Sequence, residues 1–191
     1  KIVGDKCSIA ISRFDYTSKK FVDETSVGLP IKTTDMEKNW LFFEQAGMLY
    51  CIYSLSPYLL FVLDGKKWTR VDVKTPHLKW FHSGYICNST HHTEVDKYLL
   101  LWFHTKENGV YFHGAMLLDK ETKEILHYTK NSIRMKDYAE GLHNGLIYVS
   151  GCVYRKDTDT VRVLYGEADS HSAYSEFDRQ TLINAIKNNH A

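Results

Sequence analysis

The sequence predicts an all-β fold, and three observations carry that reading. Period-2 strands separated by Gly-, Asp- and Lys-containing turns dominate from Cys7 to Tyr165. No segment before the C-terminus keeps a helical apolar stripe over three turns. Aspartates at the ends of strand pairs recur at positions 15, 64, 119 and 169, a repeat of roughly 50 residues, and antiparallel sheets repeating near this period are the signature of a β-propeller. At about 50 residues a blade, the 191 residues supply about three to four blades.

Taken in order, the first unit holds Ser8, Ile9, Ala10, Ile11 and Phe14 before the turn Asp15-Tyr16-Thr17-Ser18. The second runs through 49–53 and 57–63 to Asp64-Gly65, a pair suited to a tight turn because Asp bonds its own backbone and Gly takes positive φ. The clearest unit is 98–104, a polar loop, 110–118, the turn Asp119-Lys120-Glu121-Thr122 and then Glu124-Ile125-Leu126. A last strand pair, 146–154 and 160–165, ends at Asp169. Beyond it, Asp178 is placed to cap a short C-terminal helix over 179–187, with Leu182, Ile183 and Ile186 on one face covering the last blade. With three prolines and no Ser/Gly-rich tract, residues 1–191 read as a single domain without a linker. No methionine opens the chain, and residue 1 stands just ahead of a strand, so the expectation is an N-terminally truncated propeller.

Composition narrows the function. The chain is 43% hydrophobic and 14% aromatic, ample for a core, and its 24 Lys+Arg against 23 Asp+Glu leave a formal charge of +1 with no dense basic run. Nucleic acid is therefore not an expected partner. No apolar run reaches the ~20 residues that span a bilayer, and the start Lys1-Ile2-Val3-Gly4-Asp5-Lys6 has no signal-peptide core, so neither a membrane nor secretion is expected. Cys7, Cys51, Cys87 and Cys152 lack paired metal spacing and read as reduced thiols, which places the chain in the cytoplasm. His91, His92 and His113 do not make a zinc set, because adjacent strand residues point to opposite faces. No cofactor is expected. Asn88-Ser89-Thr90 is a glycosylation sequon, relevant only to a secreted chain.

Candidate chemistry gathers at strand ends. Glu37, Lys38 and Asn39 immediately precede a Trp-rich strand, and Ser56-Pro57-Tyr58 ends the next one. In a propeller such tips converge on the central funnel, where ligands bind, although a solvated turn has the same local pattern. Glu37, Glu167 and Asp169 offer carboxylates of the kind that glycosidic chemistry uses in pairs, one protonating the leaving oxygen and one activating a nucleophile. An Asx turn serves Asp169 equally well. Trp40, Trp80 and Tyr58 are candidate platforms for sugar rings, and Trp102 reads as core.

Four segments together resemble one family, the five-bladed β-propellers of the β-mannoside phosphorylases with their mannosyltransferase and mannosidase relatives. They are Asn39-Trp40-Leu41-Phe42-Phe43 through Tyr53-Ser54-Leu55-Ser56-Pro57, then 98–104 with Tyr111-Phe112-His113-Gly114-Ala115-Met116-Leu117-Leu118-Asp119, then Ser132-Ile133-Arg134-Met135, and Tyr165-Gly166-Glu167-Ala168-Asp169. The resemblance covers roughly residues 35–178. It implies a five-bladed propeller, here incomplete, and a carbohydrate-active enzyme acting on mannosides or similar glycosides by phosphorolysis, hydrolysis or glycosyl transfer. It implies a carbohydrate and inorganic phosphate as partners, with His104 and Tyr111 at the phosphate. The family's proton donor is an Asp in an Asp-Pro-Arg-like motif of an N-terminal blade; this chain has no such motif, and the general acid is expected upstream of Lys1. Ser56-Pro57 stands where phosphorylases carry Arg-Pro, and no Lys occurs at 87–92, which removes fixed cations from an anion site. These departures sustain an alternative, a non-catalytic glycan- or protein-binding propeller.

Overall fold

The computed structural model describes residues 2–3, 6–7, 9–31, 37–80, 84–135 and 146–188. Strands β1 (Ile2–Val3) and β2 (Lys6–Cys7) pair with each other, as do β3 (Ala10–Asp15) and β4 (Lys20–Ser26). A four-stranded meander follows: β5 (Leu41–Gln45), β6 (Met48–Leu55), β7 (Tyr58–Asp64) and β8 (Lys67–Val71). The next sheet takes β9 (Cys87–Asn88), β10 (Thr93–Val95), β11 (Tyr98–Glu107), β12 (Val110–Asp119) and β13 (Ile125–Tyr128), with β9 and β10 both pairing along one edge of β11. The last comprises β14 (Ile147–Arg155), β15 (Thr160–Glu167) and β16 (His171–Asp178), and it leads into helix α1 (Arg179–Asn188). Every pairing is antiparallel and every sheet uses strands consecutive in the chain. The all-β expectation holds. Among the described residues no helix is long and apolar enough to cross a membrane. Ser8 of the first repeat, and Asp35 and Met36 ahead of Glu37, lie outside the described residues.

The turn aspartates act through their side chains. Asp119 Oδ1 accepts the amides of Glu121 and Thr122, each at 2.8 Å. Asp15 accepts the Thr17 amide at 3.0 Å and the Ser18 hydroxyl at 2.7 Å. Both are Asx turns, and the hydrogen bonds hold both carboxyls below the usual range. Asp64 leads into Gly65 at φ 60°, and Asp169 itself takes φ 51° between β15 and β16. Strand β16 is absent from the sequence reading because it is a polar strand, with Ser172, Ser175 and Glu176 among its residues and every second position exposed.

Among the described residues, three apolar cores lie between packed sheets, and alternation along the strands builds them. On β11, Leu99, Leu101 and Phe103 enter the core shared with Leu41, Ile52 and Leu60. Its other face gives Tyr98, Leu100 and Trp102 to the core shared with Val149, Val161 and Val163. A third core joins Cys51, Phe61 and Trp68 to Leu29. A strand buried on both faces must be apolar at consecutive positions, which is why 98–103 has no polar residue. Burial drives the thiols of Cys51 and Cys152 up to about 12, so both stay protonated.

Helix α1 begins where expected, with Asp178 Oδ1 accepting the Thr181 amide at 2.7 Å as the N-cap. Its Leu182, Ile183 and Ile186 sit in the core that also contains Leu100 and Leu117. The helix covers the last sheet, as expected, and also reaches the sheet before it. Arg179 pins its start, reaching Asp159 at 2.7 Å and Asp96 at 2.6 Å.

Candidate functional site

The apolar stripe of β11 runs out of the core at its C-terminal end. Leu100 and Trp102 are followed on the same face by His104 and Lys106, and the register sets His104 opposite His113 on β12 and Cys87 on β9, with Lys106 opposite Tyr111. Directly paired residues share a sheet face. Tyr148, at the start of β14, stacks edge-on against His104 and Tyr111, with ring centroids 5.2 Å away in both cases. Together with Lys38 and Asn39, the side chains of Cys87, His104, Lys106, Tyr111 and Tyr148 line a depression of 470 Å³.

A second depression of 430 Å³ adjoins it and shares Lys38, Asn39 and Cys87. Glu37, Trp40, Tyr53 and Ser56 add to its wall. The Glu37 carboxylate accepts Trp40 Nε1 at 3.0 Å and the Tyr53 hydroxyl at 3.3 Å. Burial first, then the carboxylate, raises the Tyr53 phenol's pKa. Asn39 takes φ 62°, a conformation Asn tolerates better than most residues, and its carbonyl accepts Asn88 Nδ2 at 2.8 Å. That contact ties the 37–40 segment to β9.

The electrostatics favour a neutral imidazole among cations. Burial, and secondarily the Lys38 charge, lowers the His104 pKa to about 4. Its Nδ1 shares a 2.8 Å hydrogen bond with Ser89 Oγ. Lys106 Nζ lies 5.0 Å from the Tyr111 ring centroid. The phenol of Tyr148 is raised by burial and by its neighbours Tyr111 and Cys87, so it remains a hydroxyl donor. Ammonium, phenol, amide and imidazole groups beside one carboxylate and an indole suit a polyhydroxylated or anionic ligand.

The structure brings Glu37, Lys38, Asn39, Ser56, His104 and Tyr111 to these two adjoining depressions. It does not bring Tyr58, Glu167 or Asp169 there. Tyr58 alternates with Leu60 toward the core, and its hydroxyl donates to the Lys123 carbonyl at 3.1 Å. Glu167 is buried at the end of β15, and Asp169 is exposed in its turn. Trp80 is likewise no platform here: its Nε1 donates to Thr105 Oγ1 at 3.1 Å and its ring packs on Phe103. Lys106, Cys87, Tyr148 and Ser89 were not foreseen. Period 2 from His104 was signal enough for Lys106, whereas Tyr148 comes from a different sheet and has no local signal.

No protein-family model matches the chain, and no curated protein matches it. Solved structures do. The β-1,2-mannobiose phosphorylase from Listeria innocua, in complex with β-1,2-mannobiose, is 20% identical at a TM-score of 0.60 over 78% of this chain and 46% of that one. Over the matched part the two share a fold. A structure reported with the glycoside hydrolases of the GH130 mannoside phosphorylase family, targeting β-1,2-mannosidic linkages in Candida mannan, is 17% identical at a TM-score of 0.57 over 92% of this chain and 58% of its own. A glycosyl hydrolase from Bacteroides ovatus is 15% identical at 0.53, over 74% and 48%. The chain thus spans about half the length of these three structures.

Proposed function

We propose that the chain carries part of the glycoside-binding centre of a five-bladed β-propeller, with three to four blades present, in a carbohydrate-active protein acting on mannosides or similar glycosides. The observation that carries this reading is the convergence of Lys38, Asn39, His104 and Tyr111, residues from distant parts of the sequence, on one depression. The face-to-face packing of sheets in chain order and the likeness to a mannobiose phosphorylase support it. Lys38 and Lys106 supply cations that the sequence lacks at 56 and at 87–92, and with His104 and Tyr111 they hold inorganic phosphate. Glu37 and Ser56 take sugar hydroxyls, and Trp40 offers an apolar face to the ring. Glu37 is the carboxylate that the described linings of the two depressions contain, and the indole and phenol on it suit an acceptor role. Protonation of the leaving oxygen is assigned to no residue of this chain. That observation also favours a second reading, a glycan-binding propeller without catalysis.

Calorimetry of the purified chain with β-1,2-mannobiose and phosphate tests the proposal. Phosphate affinity is expected to fall roughly tenfold in Lys38→Ala, the scale of one lost charged hydrogen bond. Absence of binding to both compounds sinks it. No mannose 1-phosphate is expected from the chain alone, and turnover abolished by His104→Ala would both exclude the non-catalytic reading and show that the chain holds its own acid.

A further inference from the structure

Cys87 stands in the wall of the cleft, a free and half-buried thiol that lines both adjoining depressions. Cys51 and Cys152 are buried in the cores, and their thiols stay protonated. Among the cysteines whose side chains are described, Cys87 is therefore the one a reagent can reach. Two further observations say what it would meet. Lys38 and Lys106 outnumber Glu37 among the charged side chains of the two linings, and the Glu37 carboxylate is already spent on Trp40 and Tyr53. An anion is favoured there. Beside Cys87, Asn88 is 5% exposed and adds to the wall of the 430 Å³ depression. Its Nδ2 donates to the carbonyls of Asn39 at 2.8 Å and Ile52 at 3.2 Å, which fixes the orientation of the amide. Oδ1 is left buried, with no donor among the described residues. Such an acceptor bears its desolvation cost until an N–H or O–H reaches it.

We propose that Cys87 is a modification site, forming a mixed disulfide with the disulfide of a short acidic peptide. The Cys87 thiol loses its proton to solvent and attacks one sulfur of the incoming disulfide. The protein–peptide S–S bond forms as the peptide's own S–S bond breaks, and the departing thiolate takes the electron pair and then a proton. No other oxidant is needed. Carboxylates of the bound peptide face Lys38 and Lys106, and a peptide N–H donates to Asn88 Oδ1. The adduct occupies the cleft and so excludes other ligands from it. The site stands whether or not that cleft takes a glycoside.

The test incubates the full chain with glutathione disulfide, with dithiodiglycolate, which is anionic but has no peptide N–H, and with the dication cystamine. Each rate is divided by the rate of the same reagent with a free model thiol, and peptide mass spectrometry locates the adduct. Cys87 is expected to be labelled first, and Cys87→Ser to lose that label. The normalised rate with glutathione disulfide is expected to exceed that with cystamine roughly tenfold at low salt, with dithiodiglycolate between them and the excess shrinking at high salt. Lys106 is exposed, so Lys106→Gln keeps the fold, and it is expected to reduce the preference severalfold. Labelling of another cysteine first, equal normalised rates for the three reagents, or an unchanged preference in Lys106→Gln would overturn the site.

Discussion

His104 and His113 face each other across β11 and β12, and both rings are held neutral by burial. Their folded-state pKa values lie below the ordinary 6.5, so on acidification the unfolded chain takes up protons that the folded chain refuses. Stability is therefore full above pH 6.5 and declines as the pH falls toward about 4, by on the order of 3 kcal/mol for His104 alone. Urea midpoints measured across this range, with imidazole NMR titrations, check it; either ring titrating near 6.5 would contradict the burial argument. Gly114, next to His113, answers to space instead. A Cβ there would run into the Phe103 ring and come within 2.7 Å of Thr129 Oγ1. Gly114→Ala is expected to lower unfolding stability by about 1–3 kcal/mol, the usual cost of overpacking. An unchanged urea midpoint would mean that Phe103 repacks freely.

Helix α1 separates two kinds of contribution within one element. Its N-cap is a local, exposed hydrogen bond from the Thr181 amide to Asp178, and Asp178→Ala is expected to cost about 0.5–2 kcal/mol. Ile186 is fully buried between two sheets, and Ile186→Ala is expected to cost about 2–5 kcal/mol through lost burial and a cavity. Thermal or urea unfolding of the two variants ranks them. If the cap variant proved the weaker, the helix would depend on its own start more than on the core beneath it. The Arg179 contacts to Asp159 and Asp96 join that start to two strand turns, so helix and sheets share one anchor.

Across the whole molecule, successive sheets lie against one another and each interface depends on its neighbours. Leu100 and Leu101 are adjacent in sequence but enter different cores, both fully or almost fully buried. Leu100→Ala and Leu101→Ala are each expected to destabilise by about 2–5 kcal/mol, and because β11 belongs to both cores the loss is felt in one shared transition. Circular dichroism and tryptophan fluorescence should trace coincident unfolding curves for both variants. Separate transitions would show that the sheets unfold independently.

The all-β class, the turns at Asp15, Asp64, Asp119 and Asp169 and the Asp178-capped helix were legible in the sequence, because each depends on interactions within a few residues. The apolar run at 98–103 likewise announced a strand buried on both faces. Strand β16 was not legible, since its polar residues carry little burial signal and its pairing with β15 supplies what its composition does not. At the cleft, short-range patterns marked Glu37, Lys38, Asn39, Ser56 and Tyr58 as strand-end polar groups, Glu167 and Asp169 joined them as carboxylates, and His104 and Tyr111 entered through the family resemblance. Only the tertiary structure separated these. Which way a strand-end side chain turns depends on the sheet packed against it: Tyr58 turns to the core and the Lys123 carbonyl, while Tyr148 of another sheet closes on His104. Local hydrogen bonding determined the elements of this chain, and the packing of one sheet on the next decided which of their ends meet.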